Sequence, residues 1–214
     1  MLAFTKKEKM LMKKLNTPAK VQDFLNAIPF NFEKPARRGE NRADTFKSPI
    51  MVLRKKNAHC IEGAVFGAYI LSLQGFNPYV MYLQTTKEDF DHVITPFQVG
   101  GYWGALSKTN HAVLRYREPI YKNIRELAMS YFHEYFLDNG QKTLRRYSAP
   151  LDLNKFNKNK KQKNWATTEE DLWYIDTALD KQKHYDIVPK KHIKNLRKAD
   201  KVEIRAGKVV EFRK

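Results

Sequence analysis

A single cysteine, Cys60, stands immediately before a run of apolar and small residues, 61–73, that predicts a helix buried on every side. A thiol in the first turn of such a helix feels the positive end of the helix dipole and the unpaired backbone N–H groups. Both favour a thiolate and can hold an oxyanion. Arg54, Lys55 and Lys56 just upstream push the same way. A thiolate that is to attack a carbonyl needs an imidazole to take its proton and a third group to fix the imidazole tautomer. His92 is the candidate base, following the polar segment TTKEDFD. Ser107 and Asn110 are the candidate orienting groups, and the residues alone leave both open. Glu62 belongs to the first helical turn, where it either stabilises the helix start or touches substrate.

Several elements must position these groups. Asn57 is a candidate cap for the buried helix and Gly75 a natural stop. Residues 79–83 read as a strand, and two more, 92–99 and 102–107, join tightly at Gly100-Gly101 as a hairpin. With a Val99-Gly100 loop, Ser107 lies opposite His92. With a Gly100-Gly101 loop, Thr109 lies opposite and Ser107 is diagonal. In both registers Ser107 shares the face of His92. Asn110 reaches the ring only through a longer loop, a bulge or a position past the strand end.

Upstream, residues 5–15 predict a lysine-rich surface helix. Thr17-Pro18 begins a short amphipathic helix that carries Val21, Phe24, Leu25 and Ile28 on one face and ends at Pro29. Residues 33–48 read as a polar loop. Downstream, residues 121–136 predict a long aromatic helix. Thr167 with Glu170 predicts a capping box for a helix through about Lys181, and the tail predicts a hairpin turning at Ala206-Gly207. No repeat is visible. The expected class is α+β, a small antiparallel sheet flanked by helices. One domain is expected, with residues 1–150 as the core and 151–214 as a basic linker, helix and hairpin packed onto it.

The stretch HCIEGAVFGAYILSLQGFNPYVM resembles the nucleophile helix and following strand of the transglutaminase-like superfamily, a papain-like group of thiol enzymes. The matching features are Cys60, Glu62, Ala64, Leu71 and Gly75. The stretch from His92 through Trp103 to Ser107 resembles that family's histidine strand and its neighbour. The resemblance spans about residues 55–110. It implies a papain-like core in which Cys60 attacks an amide, thioester or ester of a protein, peptide or other acyl substrate, with His92 as general base and then acid. Water as acceptor makes a peptidase or amidase; an amine acceptor makes an acyltransferase. The family usually has an aspartate where this chain has Ser107, and a serine cannot stabilise imidazolium by charge. By analogy with the asparagine of papain-like proteases, Asn110 competes for the role. The missing carboxylate also admits a catalytically inactive module of the same fold that binds an anionic partner. The resemblance implies no cofactor.

Other residues near the motif have plainer uses. Trp103 is expected to pack in the core, walling the substrate pocket, and Lys108 to meet an anionic substrate group. Arg115 and Arg117 could share that task, although ion pairs with the body's own acids are more ordinary. His59, Cys60, His92 and His111 lack the paired spacing of zinc ligands, so no metal is expected. His184 reads as structural. The formal charge of +17 favours polyanions. The densest cluster, residues 154–164, has five lysines but one aromatic, Phe156, and reads as a solvated linker rather than a base-stacking surface. One cysteine forbids an intrachain disulfide, lysines interrupt every apolar stretch of the N-terminus, and no run is long enough to span a bilayer. A cytoplasmic protein without a membrane role is the expectation.

Overall fold

The structure is a computed structural model describing residues 2–32, 45–158 and 164–213. Most of the polar loop expected at 33–48 and the centre of the lysine cluster lie outside the described residues. The first helix, α1 (Lys6–Lys14), is capped by Thr5 with Glu8 in a capping box. Next, α2 (Pro18–Ala27) starts at Thr17-Pro18, whose threonine side chain accepts from the Lys20 amide. A short helix, α3 (Pro49–Lys55), follows and ends at Lys56 in the left-handed conformation. The buried helix α4 (Cys60–Ser72) takes His59 rather than Asn57 as its N-cap, which makes Cys60 its first residue.

An antiparallel sheet comes next: β1 (Tyr79–Gln84), β2 (His92–Val99), β3 (Tyr102–Leu106) and β4 (Arg117–Tyr121), then helix α5 (Ile124–Met129). After it come β5 (Arg146–Ser148), β6 (Leu151–Asp152), α6 (Trp173–Asp180), β7 (His184–Asp186) and α7 (Lys201–Gly207). The strand order is β4-β3-β2-β1-β5-β7, with β6 also pairing β1. The architecture is α+β.

Three expectations are corrected. The long helix at 121–136 is instead the end of β4, then α5, then a turn of 3-10 helix at Phe132–Glu134. Tyr121 is taken by its pairing with Trp103, and Asn123 caps the helix through the Glu126 amide. No capping box forms at Thr167, and α6 starts at Trp173. The tail hairpin is replaced by α7, because Asp200 and Glu203 form a capping box that nucleates a helix across Ala206-Gly207. Beyond it, the chain extends along residues 110–112, with Val210 bridging His111.

Alternation along the strands splits the core. Val80, Val93, Phe97 and Leu106 pack on the α4 side, while Met81, Leu83, Ile94 and Ala105 pack against Leu127, Ala128, Tyr131 and Tyr135. The downstream segment shares the first of these layers through Leu151, Trp165, Leu172, Ile175 and Leu179. Among the described residues, no helix is long and apolar enough to cross a membrane.

Candidate active site

Small residues fix how α4 meets the sheet. A Cβ on Gly63 would come within 2.4 Å of the Lys108 Cβ, and one on Gly67 within 2.8 Å of Leu106 Cδ1. The helix therefore runs antiparallel to β3 and parallel to β2, and its first residue reaches the end where β2 begins. The Thr95 hydroxyl pins this alignment by donating to the Ala64 carbonyl at 2.6 Å. The close approach of α4 to the sheet thus brings Cys60 to His92.

The hairpin turns at Gly100-Gly101, both with positive φ, and Thr95 pairs Leu106, so the second of the two registers is present. Ser107 lies diagonal to His92, and His92 Nε2 is 2.8 Å from Ser107 Oγ. The Ser107 hydroxyl donates to the Leu114 carbonyl. Its oxygen therefore accepts from His92 Nε2–H, which leaves Nδ1 as the basic nitrogen available to the thiol. The Gln22 side chain holds Ser107 from behind. It accepts from the Ser107 amide at 2.9 Å and donates to the Ser107 carbonyl at 2.8 Å.

A second imidazole flanks the thiol. His59 is 2% exposed, and its Nε2–H donates to the Thr45 carbonyl at 2.9 Å. Burial pushes the Cys60 thiol up, but hydrogen bonds from His59 and His92, reinforced by their charge, outweigh it and hold the thiol at about 5. Burial pushes His59 down, and the adjoining sulfur, the Glu62 carboxylate and the Thr45 carbonyl together raise it to about 9. Cys60 itself is only half-buried. Close by, the Tyr135 hydroxyl is buried with no hydrogen-bond partner among the described residues. Burial, followed by the negative charge of Asp89, Cys60 and Asp91, pushes that phenol well above its ordinary range.

The other expected site residues lie elsewhere or do other work. Glu62 is fully buried. One of its oxygens accepts from the Thr45 hydroxyl and the Lys47 amide, each at 2.9 Å, and the other from the His59 amide at 3.0 Å. It anchors the helix start and cannot meet substrate. Lys108 is 1% exposed and donates to the Ile28 carbonyl at 2.7 Å, so it is no substrate-binding cation. Burial pushes its ammonium down to about 8. Trp103 pairs Gln98 near the hairpin turn, at the far end of β2 from His92, and packs beside Tyr79. The Asn110 amide is committed to the backbone of Phe212, at 3.0 and 2.8 Å, and does not orient His92.

Arg115 and Arg117 make ion pairs with Glu211 and Glu134, at 3.1 and 2.7 Å. His111 bonds the Gly207 carbonyl, and no group of three acidic, His or Cys side chains among the described residues is arranged to hold a metal. Sequence reasoning missed His59 as a partner of the thiol, although its place next to Cys60 was a signal. Gln22, 85 residues from Ser107, gave none. No protein-family model and no curated protein matches this chain.

Proposed function

We propose that this protein is a cysteine hydrolase of transglutaminase-like, papain-like type, a peptidase or amidase working through an acyl-enzyme. The observation that carries the reading is the relay from Cys60 through its hydrogen bond with His92 to Ser107 and the Leu114 carbonyl, set at the first residue of a buried helix. The Cys60 sulfur attacks the carbonyl carbon of an amide or ester, forming the C–S bond. His92 holds the thiol proton and delivers it to the departing amine or alcohol as the C–N or C–O bond breaks. Water then attacks the thioester, losing a proton to His92, and the acid is released with the thiol restored. The amide N–H of Cys60, in the first helical turn, has no helical acceptor and would stabilise the oxyanion. The unpaired Tyr135 phenol is a second donor within reach of the thiolate's field. An amine in place of water would give acyl transfer.

Two features favour a second reading, a module that binds an anionic partner without turnover: Ser107 contributes no negative charge beside His92, and the chain is strongly basic. A p-nitrophenyl ester separates the two. The hydrolase reading expects a burst of one equivalent of nitrophenol and an acyl adduct on Cys60 by mass spectrometry, both lost in His92→Ala. No adduct on Cys60, together with salt-sensitive binding to a polyanion, would support the module instead.

A further inference from the structure

Leu114 is one of two non-glycine residues with positive φ among the described residues, at 60°. That region crowds the Cβ of an L-residue, and leucine has no polar side chain to stabilise it locally. Two hydrogen bonds hold it there. The Leu114 amide donates to Glu134 Oε2 at 2.6 Å, and its carbonyl accepts from the Ser107 hydroxyl. Glu134 is itself fixed, its other oxygen 2.7 Å from Arg117 Nη2. The Arg117 guanidinium lies 4.1 Å over the Tyr131 ring and donates to the Ser130 carbonyl at 3.2 Å. The Tyr131 hydroxyl, from the residue just before the 3-10 turn, donates to the Arg115 carbonyl at 3.1 Å and so grips the chain next to Leu114 as well.

We propose that Glu134 is a positioning residue for the Cys60–His92 pair, locking Leu114 in the left-handed conformation that aims its carbonyl at Ser107. This inference rests on the reading of Cys60 and His92 as the reacting pair. While the Leu114 carbonyl takes the Ser107 proton, the Ser107 oxygen can only accept, and His92 keeps its proton on Nε2. Released from Glu134, Leu114 relaxes to negative φ and its carbonyl turns away. The Ser107 hydroxyl then donates to Nε2 instead, and the proton moves to Nδ1, the nitrogen that must receive the thiol proton. Glu134 touches neither sulfur nor imidazole. It acts through the backbone of one strained residue, at the place where an aspartate would act by charge.

Nitrogen NMR of the His92 ring, read together with the pH profile of Cys60 alkylation by iodoacetamide, tests this. In the neutral ring, wild type should show the Nε2–H tautomer. Glu134→Ala should lose that preference and move the acid limb of alkylation up by about one pH unit, a tenfold change in the thiol equilibrium. Glu134→Gln, which keeps an acceptor for the Leu114 amide, should stay close to wild type. The double variant Glu134→Ala/Leu114→Gly should recover, because glycine adopts a φ of +60° without steric cost. A neutral wild-type ring that carries its proton on Nδ1 rather than Nε2, an unchanged Glu134→Ala, or a double variant as impaired as the single one would each overturn the proposal. A wild-type thiol that titrates normally, while the tautomer still follows Glu134 and Leu114, would uphold the positioning and remove the catalytic reading.

Discussion

Ser107 decides how His92 works. A hydroxyl that accepts from Nε2–H fixes the tautomer as an aspartate would, yet leaves the imidazolium without a neighbouring anion from that side. His59 and Glu62 supply compensation at the sulfur, where a second imidazole bonds the thiol and a buried carboxylate sits 3.7 Å from that imidazole. Ser107→Ala should therefore slow acylation by about tenfold, the loss of roughly one hydrogen bond to the ring. Asn110→Ala should leave the burst rate within about twofold, since its amide serves Phe212. Burst kinetics with the nitrophenyl ester would check both, and equal losses would return Asn110 to the site. The common face of Ser107 and His92 was legible in the sequence because strand periodicity preserves it in either register. The fate of Asn110 was not, because the group that occupies it is a backbone 102 residues away.

At the scale of elements, α4 is the part that the sequence announces most clearly. Its residues are apolar or small at nearly every position, and ten of them are buried. Its glycines are spaced where the sheet comes closest, so they set the depth and direction of the helix as well as its packing. Gly63→Ala forces a methyl against Lys108 and should destabilise the fold by about 1–3 kcal/mol, measured by denaturant unfolding. A neutral effect would mean that Lys108 can move aside and that α4 is held elsewhere. The first two helices and the central hairpin were readable for local reasons, caps and paired glycines. The segment 121–136 was misread because an aromatic, helix-spaced pattern was overridden by tertiary partners: Tyr121 joined the sheet, and Glu134 turned to reach Leu114. The tail was misread because Ala206-Gly207, taken as a turn, is the last stretch of a helix that the Asp200–Glu203 cap starts.

Taken as a whole, the molecule assembles its thiol site from distant parts of the chain. Gln22 of α2, Thr45, the start of α4, the start of β2, Ser107, Leu114 and the 3-10 segment all bear on one sulfur. Residues 209–212 lie along 110–112, so the C-terminal tail also braces the loop between β3 and β4. Such a site exists only in the folded state, and its ionisation is coupled to folding. The Cys60 thiol is held down at about 5, so the stability it contributes is present above its unfolded value and is lost as pH falls through about 5. His59 is raised to about 9, so its contribution is present below its unfolded value and is lost as pH rises through about 9. Between them the Cys60 thiolate stands beside the His59 imidazolium. The measurement that tests the account most directly is the rate of Cys60 alkylation by iodoacetamide from pH 4 to 10, in wild type and His92→Ala. Fast alkylation should persist down to about pH 5 in wild type, with the acid limb displaced upward in the variant. A wild-type rate that rises only near the ordinary thiol pKa of about 8.5, or one that is the same in both proteins, would contradict it.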